Sequence, residues 1–263
     1  EGVADTGDKV TITGENFGTD PSDISVSFNG TPAEFELVDE STIVATTPAD
    51  YQTGSVTVTI HGYTMTGGAM FNPNSKGDVT VLYLQNYKQP FAKANDESWK
   101  NGEWWTPAVW NQNAASFNAK GNTTVSGMQY KSEEGLTLAF QNGWDKEAYT
   151  NGKMWQVATL RPGKYRLEVT YAYTLVVTDA GNFISVLIAK GDSESDIPNV
   201  ADLEQLNGVY VAYDKMGTAN DSGTLVTPSF EVTETTDVVI GFLTSLAKGN
   251  SYFKVTELKL ILE

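Results

Sequence analysis

The feature that most constrains this chain is a two-residue alternation of apolar and polar side chains, repeated in several stretches separated by turn formers. Val56, Val58 and Ile60 alternate with Ser55, Thr57 and Thr59. Leu136, Leu138 and Phe140 alternate with Thr137, Ala139 and Gln141. Tyr165, Leu167, Val169, Tyr171 and Tyr173 alternate with Arg166, Glu168, Thr170 and Ala172. Successive side chains of a strand leave on opposite faces, so each stretch predicts a strand with one buried face. Tyr171 and Tyr173 both read as core on this phase, with Tyr173 within reach of a rim. Residues 183–189 are apolar on both phases, as in a strand covered on both sides. Five Asn-Gly pairs, beginning at Asn29, Asn101, Asn142, Asn151 and Asn207, supply hairpin turns, and Pro162-Gly163 supplies another turn.

The last strand changes phase. Phe253 and Val255 lie on odd positions, whereas Leu258, Leu260 and Leu262 lie on even ones. One extra residue near Thr256-Glu257 would reconcile the two halves, which predicts a β-bulge there. Helix is predicted only as one or two turns in 197–206, where Asn199 can cap Val200, Leu203 and Leu206. Many short strands joined by regular turns point to an all-β chain of sandwiches or jelly rolls. The Asn, Pro, Ser and Gly cluster at 71–78 marks the expected boundary: a domain at 1–72, a linker at 73–78 and a domain at 79–263.

The chain has 263 residues and a formal net charge of −16. Residues 1–75 hold eleven carboxylates against the single amine of Lys9, a net charge of −10. Such a surface repels nucleic acid and anionic lipid, so neither is an expected partner. With no Cys, disulfides, thiolate catalysis and thiolate metal sites are excluded together. His61 is the single histidine, so no Ser-His or multi-His site can be built, and it reads as a surface turn residue. No apolar run is long enough to cross a membrane. The sequence opens on Glu1 rather than Met, and an export signal or lipid anchor would have been lost with a missing end.

The first seventy residues resemble an IPT/TIG domain, an immunoglobulin-like sandwich. The resemblance rests on 7–18, GDKVTITGENFG: a Gly-Asp turn, a strand through Val10 and Ile12, then Gly14-x-Asn16-Phe17-Gly18. Gly14 and Gly18 free the backbone where the strand turns over, and Phe17 plugs the end of the sandwich. The stretches 26–32, 41–48 and 54–60 also fit. The family opens with an extra strand before the Gly-Asp turn, and only residues 1–6 stand there, so that edge is incomplete or a further domain precedes it. Residues 79–263 more loosely resemble galactose-binding-like jelly rolls, through 155–167 (WQVATLRPGKYRL) and 252–260 (YFKVTELKL). The order of the two domains resembles outer-membrane glycan-binding lipoproteins of polysaccharide-utilisation systems. That resemblance implies a non-catalytic, cell-surface, carbohydrate-binding role. The IPT/TIG domain would be a spacer and a lipid anchor outside this chain would be the only membrane contact. The location would be the extracellular face of the outer membrane, with other glycan-uptake components as further partners.

Four of six tryptophans, Trp99, Trp104, Trp105 and Trp110, fall in a polar, turn-rich segment. A pyranose stacks its C–H-rich face on an indole, and its hydroxyl rim needs paired donors and acceptors. Trp104, Trp105 and Trp110 are the candidate platforms, with Asn111, Gln112 and Asn113 as bidentate partners. Trp144 and Asp145, after the Asn142-Gly143 turn, join from a neighbouring loop. The bland alternative is that these rings roof the C-terminal sandwich. Adjacent Trp104 and Trp105 must point to opposite sides of an extended chain, one expected in the core and the other exposed. Trp155 reads as core.

No cofactor is expected. A structural Ca²⁺ is the alternative to a solvated acidic turn in 179–182 (DAGN) and 191–196 (GDSESD), neither of which has an EF-hand register. A glycosidase carboxylate pair stays open as the enzymatic alternative, with Glu97, Glu103 and Asp145 nearest the aromatic segment. A structural or adhesin module using the same rings against another surface protein is the third reading.

Overall fold

The computed structural model describes residues 2–94, 104–116, 119–120, 123–143, 148–176, 181–205, 211–216, 221–247 and 250–263. The chain divides into two compact units between Leu82 and Tyr83. That point lies beyond the expected linker at 73–78, inside a single helical turn, Thr80–Tyr83, which the sequence pattern did not announce. The Asp78 carboxylate starts this turn by accepting from the Thr80 N–H at 3.0 Å.

The N-terminal unit is a two-sheet sandwich. One sheet runs Gly2–Val3, Tyr63–Phe71, Gly54–Ile60, Ile24–Phe28, Thr31–Ala33. The other runs Lys9–Thr13, Thr42–Thr46, Phe35–Asp39. Val56 and Val58 are buried as their phase predicts, against Phe28, Ile43 and Tyr51. The Tyr51 hydroxyl donates to the Ala4 carbonyl at 2.5 Å, and burial pushes its pKa up to about 12. Phe17 is buried under Gly14, where a Cβ would stand 2.5 Å from the ring, so the close approach requires glycine. His61 is exposed in the two-residue turn that joins Gly54–Ile60 to Tyr63–Phe71.

The C-terminal unit is a larger antiparallel sandwich. Its front sheet runs Trp104–Trp105, Ser126–Lys131, Gly135–Asn142, Ser251–Leu262, Gly163–Tyr171, Gly223–Val226. Its back sheet runs Asn111–Gln112, Tyr149–Leu160, Thr236–Leu246, Phe183–Lys190, Ala212–Lys215. Between them Phe242 meets Phe140, Phe253 and Trp110 at ring separations of 5.1, 6.4 and 5.7 Å. At one end the buried Asn142 amide ties the sheets together. It donates to the Leu246 carbonyl and accepts from the Ser251 N–H, both at 3.0 Å.

The predicted bulge is present. Thr170 pairs with Glu257 and Tyr171 with Val255, leaving Thr256 as the extra residue. Its carbonyl is taken by the Gln89 N–H at 2.9 Å. Phe183–Lys190 is covered on both faces, because the outer face of the back sheet carries a second apolar cluster. There Trp155, Leu187, Val239 and Leu243 lie with Ile197 and Leu203. Trp155 is thus buried as expected, but outside the space between the sheets.

Several expectations are corrected. Of the predicted segment 197–206, the described residues 197–205 form no α-helix; 3₁₀ turns stand at Glu194–Asp196 and Leu203–Gln205, which suffice to lay Ile197 and Leu203 on the sheet, and Leu206 lies outside the described residues. Asn151-Gly152 is not a hairpin turn. It is an irregularity inside Tyr149–Leu160, with Asn151 at φ 55°, and its side-chain oxygen accepts from the Val200 N–H. Tyr171 is buried, but Tyr173 is 46% exposed: the strand ends at Tyr171 and Tyr173 turns out at φ 49°. In the loop 191–196 the Asp196 carboxylate accepts from the N–H groups of Asp192 and Ser193 and from the Ser193 hydroxyl. These bonds hold its pKa below the ordinary aspartate value. Among the described residues no group of three or more acidic or histidine side chains is placed to hold a metal ion.

Candidate functional site

The aromatic segment is fastened from below rather than presented outward. Residues 92–94 and 106–108 pair as a short ribbon, with Ala94 N–H to Thr106 carbonyl and Ala108 N–H to Ala92 carbonyl both at 2.9 Å. Asn86 clamps both sides of this ribbon: its amide nitrogen donates to the Ala92 and Ala108 carbonyls and its oxygen accepts from Ala92 N–H. Trp110 hangs from the same residue, its indole N–H donating to the Asn86 carbonyl at 3.0 Å while its ring enters the Phe242 cluster.

Trp104, Trp105 and Trp110 are 1%, 7% and 5% exposed, so none offers an open indole face. Trp104 and Trp105 do leave on opposite faces, since their partners alternate. Trp105 lies opposite Met128, which faces the interior, and Trp104 opposite Gln129 on the outer face. The expectation that one of the pair would be exposed is corrected. The apolar surface each needs is supplied by residues far away in sequence. Asn113 is also structural. Its oxygen accepts from the N–H groups of Ser116 and Lys153, and its nitrogen donates to the Asn151 carbonyl and Glu194, so its bonding capacity is filled. Gln112 turns inward to Ser126. Asn111 is exposed beside Trp155 on the back sheet, apart from the other candidates. Trp99, Trp144, Asp145, Glu97 and Glu103 lie outside the described residues.

A different constellation occupies the outer face of the front sheet. Leu138 and Phe140 face the core, so Thr137, Ala139 and Gln141 face out. The register sets Ala139 opposite Lys254 and Gln141 opposite Tyr252. Lys254 is 4% exposed and forms an ion pair with Glu134, while its ammonium stands 5.0 Å from the centre of the Tyr252 ring. A lysine this buried is tolerated only with charge compensation, which the carboxylate and the ring face supply. Beyond Tyr252 the chain at 172–175 continues the sheet: Ala172 N–H donates to the Lys254 carbonyl, and Leu175 exchanges bonds with Tyr252 at 2.9 and 2.7 Å. This sets Leu175, 41% exposed, beside the Tyr252 ring, with Tyr173 in solvent at the same strand end. A non-glycine residue held at positive φ costs about 1–3 kcal/mol and is found where the surroundings over-determine it, often at binding sites.

The result is a half-buried ring flanked by an amide, an ion pair and two exposed apolar side chains. Further along the same face the Thr137 hydroxyl is fully buried without a hydrogen-bond partner. Thr137→Val, which keeps the shape and removes the orphan hydroxyl, should raise the stability of this domain by about 1 kcal/mol in urea unfolding.

The signal for this site lay in sequence alternation: Gln141, Tyr252 and Lys254 occupy the polar phase of their strands.

Comparison with known proteins gives two family matches. The model for the family described as domain of unknown function (DUF5013) matches residues 85–241, and that for the IPT/TIG domain matches residues 1–75. No curated protein matches the chain. Among solved structures, TmCBM61 in complex with beta-1,4-galactotriose is 11% identical, covering 68% of this chain and 100% of its own, with a TM-score of 0.39. A putative glycoside hydrolase from Bacteroides thetaiotaomicron is 10% identical, covering 88% and 83%, with a TM-score of 0.44. The CBM22-1 xylan-binding domain from Paenibacillus barcinonensis Xyn10C is 13% identical, covering 65% and 97%, with a TM-score of 0.33.

Proposed function

This chain belongs to the DUF5013 family, with an IPT/TIG domain in front, and from that premise we propose that its C-terminal sandwich binds carbohydrate on the outer face of the front sheet. The observation that carries this reading is the Tyr252 surface. A half-buried ring with the Lys254 ammonium 5.0 Å from its centre lies between Gln141 and Leu175, its strand neighbours on either side. A sugar ring stacks its C–H face on such a platform, and its hydroxyl rim meets an amide, which both donates and accepts. Covering about 60 Å² of ring at ~25 cal/mol/Å² contributes about 1.5 kcal/mol, or roughly a tenfold change in affinity. One platform of this size suits weak, multivalent contact with a polymer rather than tight capture of a monosaccharide.

The reading is non-catalytic: the assembled groups hold and orient, and the one described carboxylate among them, Glu134, is paired with Lys254. The N-terminal sandwich acts as a spacer in this proposal. Attachment to the outer face of a bacterial outer membrane through a lipid belongs to the same proposal and rests on domain order alone.

The test is affinity electrophoresis through gels containing a panel of soluble polysaccharides, comparing the unaltered protein with Tyr252→Ala and Gln141→Ala. Retardation by at least one polysaccharide, weakened about tenfold by Tyr252→Ala with little change in melting temperature, supports the proposal. Equal mobility of all three proteins in every gel would sink it. Release of reducing sugar on long incubation would replace it with an enzymatic reading.

A further inference from the structure

The charges on the outer face of the front sheet are paired off. Strands Gly135–Asn142, Ser251–Leu262 and Gly163–Tyr171 carry four basic side chains, Lys164, Arg166, Lys254 and Lys259. All four occupy the polar phase and face out. Each is already held by a carboxylate. Lys254 is paired with Glu134, and Lys259 with Glu257 at 3.3 Å. Arg166 reaches Glu168 at 2.8 Å and Glu263 at 2.9 Å, and Lys164 reaches Glu263 at 3.1 Å.

The pair of Lys254 with Glu134 matters most, because its ammonium stands 5.0 Å from the centre of the Tyr252 ring. Only 5% and 19% of the two side-chain surfaces are exposed, so water and salt screen this pair weakly, and its opposite charges cancel each other beside the ring. Around it the sign is negative. Glu133 is exposed in the same turn, and the Thr174 N–H donates to the Asp221 carbonyl at 3.0 Å, which sets a further exposed acidic residue against 172–175. The whole unit from Tyr83 to Glu263 carries 21 acidic and 15 basic side chains, a net charge of −6. An anion stacked on Tyr252 would give up water and find no uncommitted cation on these three strands.

We propose that the Tyr252 surface takes uncharged polysaccharide segments and rejects those bearing uronate or sulfate groups, with Glu134 as the residue that sets this choice. The inference rests on the glycan-binding reading above and adds the class of glycan to it. Glu134 acts through Lys254. Left unpaired, that ammonium would be the natural partner for an acidic sugar stacked on the ring. Paired, it is spent, and the acid meets a like charge instead. A neutral sugar loses nothing by the pairing, since its hydroxyls need only the Gln141 amide and its C–H face only the ring.

The test is affinity electrophoresis of the full chain through gels of a galactan, a xylan, a mannan and a β-glucan, each unmodified, carboxymethylated or hydroxyethylated. The hydroxyethyl group has similar bulk without the charge. At least one unmodified polymer and its hydroxyethyl form should retard the unaltered protein, and the carboxymethyl form should bind roughly tenfold more weakly at low salt. Glu134→Gln keeps an acceptor for Lys254 but leaves its charge uncompensated. It should strengthen binding to the carboxymethyl form about tenfold, in a salt-sensitive way. Gln141→Lys, a new cation opposite Tyr252, should act in the same direction, and it carries the test if melts show that Glu134→Gln does not fold. Glu36→Gln makes the same change in net charge on the exposed surface of the N-terminal unit and should leave the preference as it is. Carboxymethyl polymer bound by the unaltered protein as well as the unmodified one would overturn the proposal. So would loss of binding to the hydroxyethyl form, which would make bulk the cause, an unchanged preference in the deciding variant, or an equal change in Glu36→Gln. Free passage through every gel would overturn the glycan reading itself and this inference with it.

Discussion

Trp110→Ala should lower the unfolding free energy of the C-terminal domain by about 3–5 kcal/mol and its melting temperature by about 10 °C. The indole is 5% exposed, packs on Phe242 at 5.7 Å and spends its N–H on the Asn86 carbonyl at 3.0 Å. Its loss opens a cavity at the point where three further aromatic rings converge, and orphans a carbonyl beside the clamp that holds the ribbon of 92–94 and 106–108. Trp110→Phe keeps most of the packing and loses the hydrogen bond, so it should cost roughly half as much. Urea unfolding followed by near-ultraviolet circular dichroism checks both. The transition of the N-terminal domain, which does not contain the ring, serves as an internal control. A shift below about 2 °C for Trp110→Ala would mean that the ring is not part of the core.

Gly241→Ala should be at least as damaging, costing about 4 kcal/mol from the addition of one methyl group. A Cβ at Gly241 would stand 2.1 Å from the Met154 carbonyl oxygen and 2.7 Å from the Trp155 Cα. Both are backbone atoms of the neighbouring strand, so no side-chain rotation relieves the clash. The pairing of Tyr149–Leu160 with Thr236–Leu246 must open instead. These two strands form the centre of the back sheet, and substitutions that force apart paired backbone belong to the severe class. Soluble yield and thermal melts report the result. Ala158→Gly, at a buried position in the same strand pair, is the comparison and should cost about 1 kcal/mol.

The fold was legible in the sequence wherever a local pattern decides the outcome. Val56 and Val58, Leu138 and Phe140, and Leu167 and Val169 are buried because period two sorts side chains to faces whatever the partner strand is. The extra residue in the last strand was legible for the same reason. Outcomes set by distant residues were not. Nothing near Trp110 announces Asn86 or Phe242, so its burial could not be read from its neighbours. Tyr173 carries the right phase but stands past the end of its strand, in a left-handed conformation that no tyrosine propensity favours. The ion pair of Lys254 with Glu134 joins positions 120 residues apart. Tyr252, Gln141 and Leu175 become one surface only once the strand order is fixed. A cluster of tryptophans is a conspicuous signal of apolar area; which side of that area meets water is a tertiary fact.

The unmatched Thr256 lets one continuous strand answer to two demands. Ahead of it, Tyr252 and Lys254 lie on the outer face of the front sheet; behind it, Leu258, Leu260 and Leu262 lie on the interior face. A single inserted residue thus turns an aromatic ring and a paired lysine outward along the first half of the strand and a row of leucines inward along the second, without breaking the strand between them.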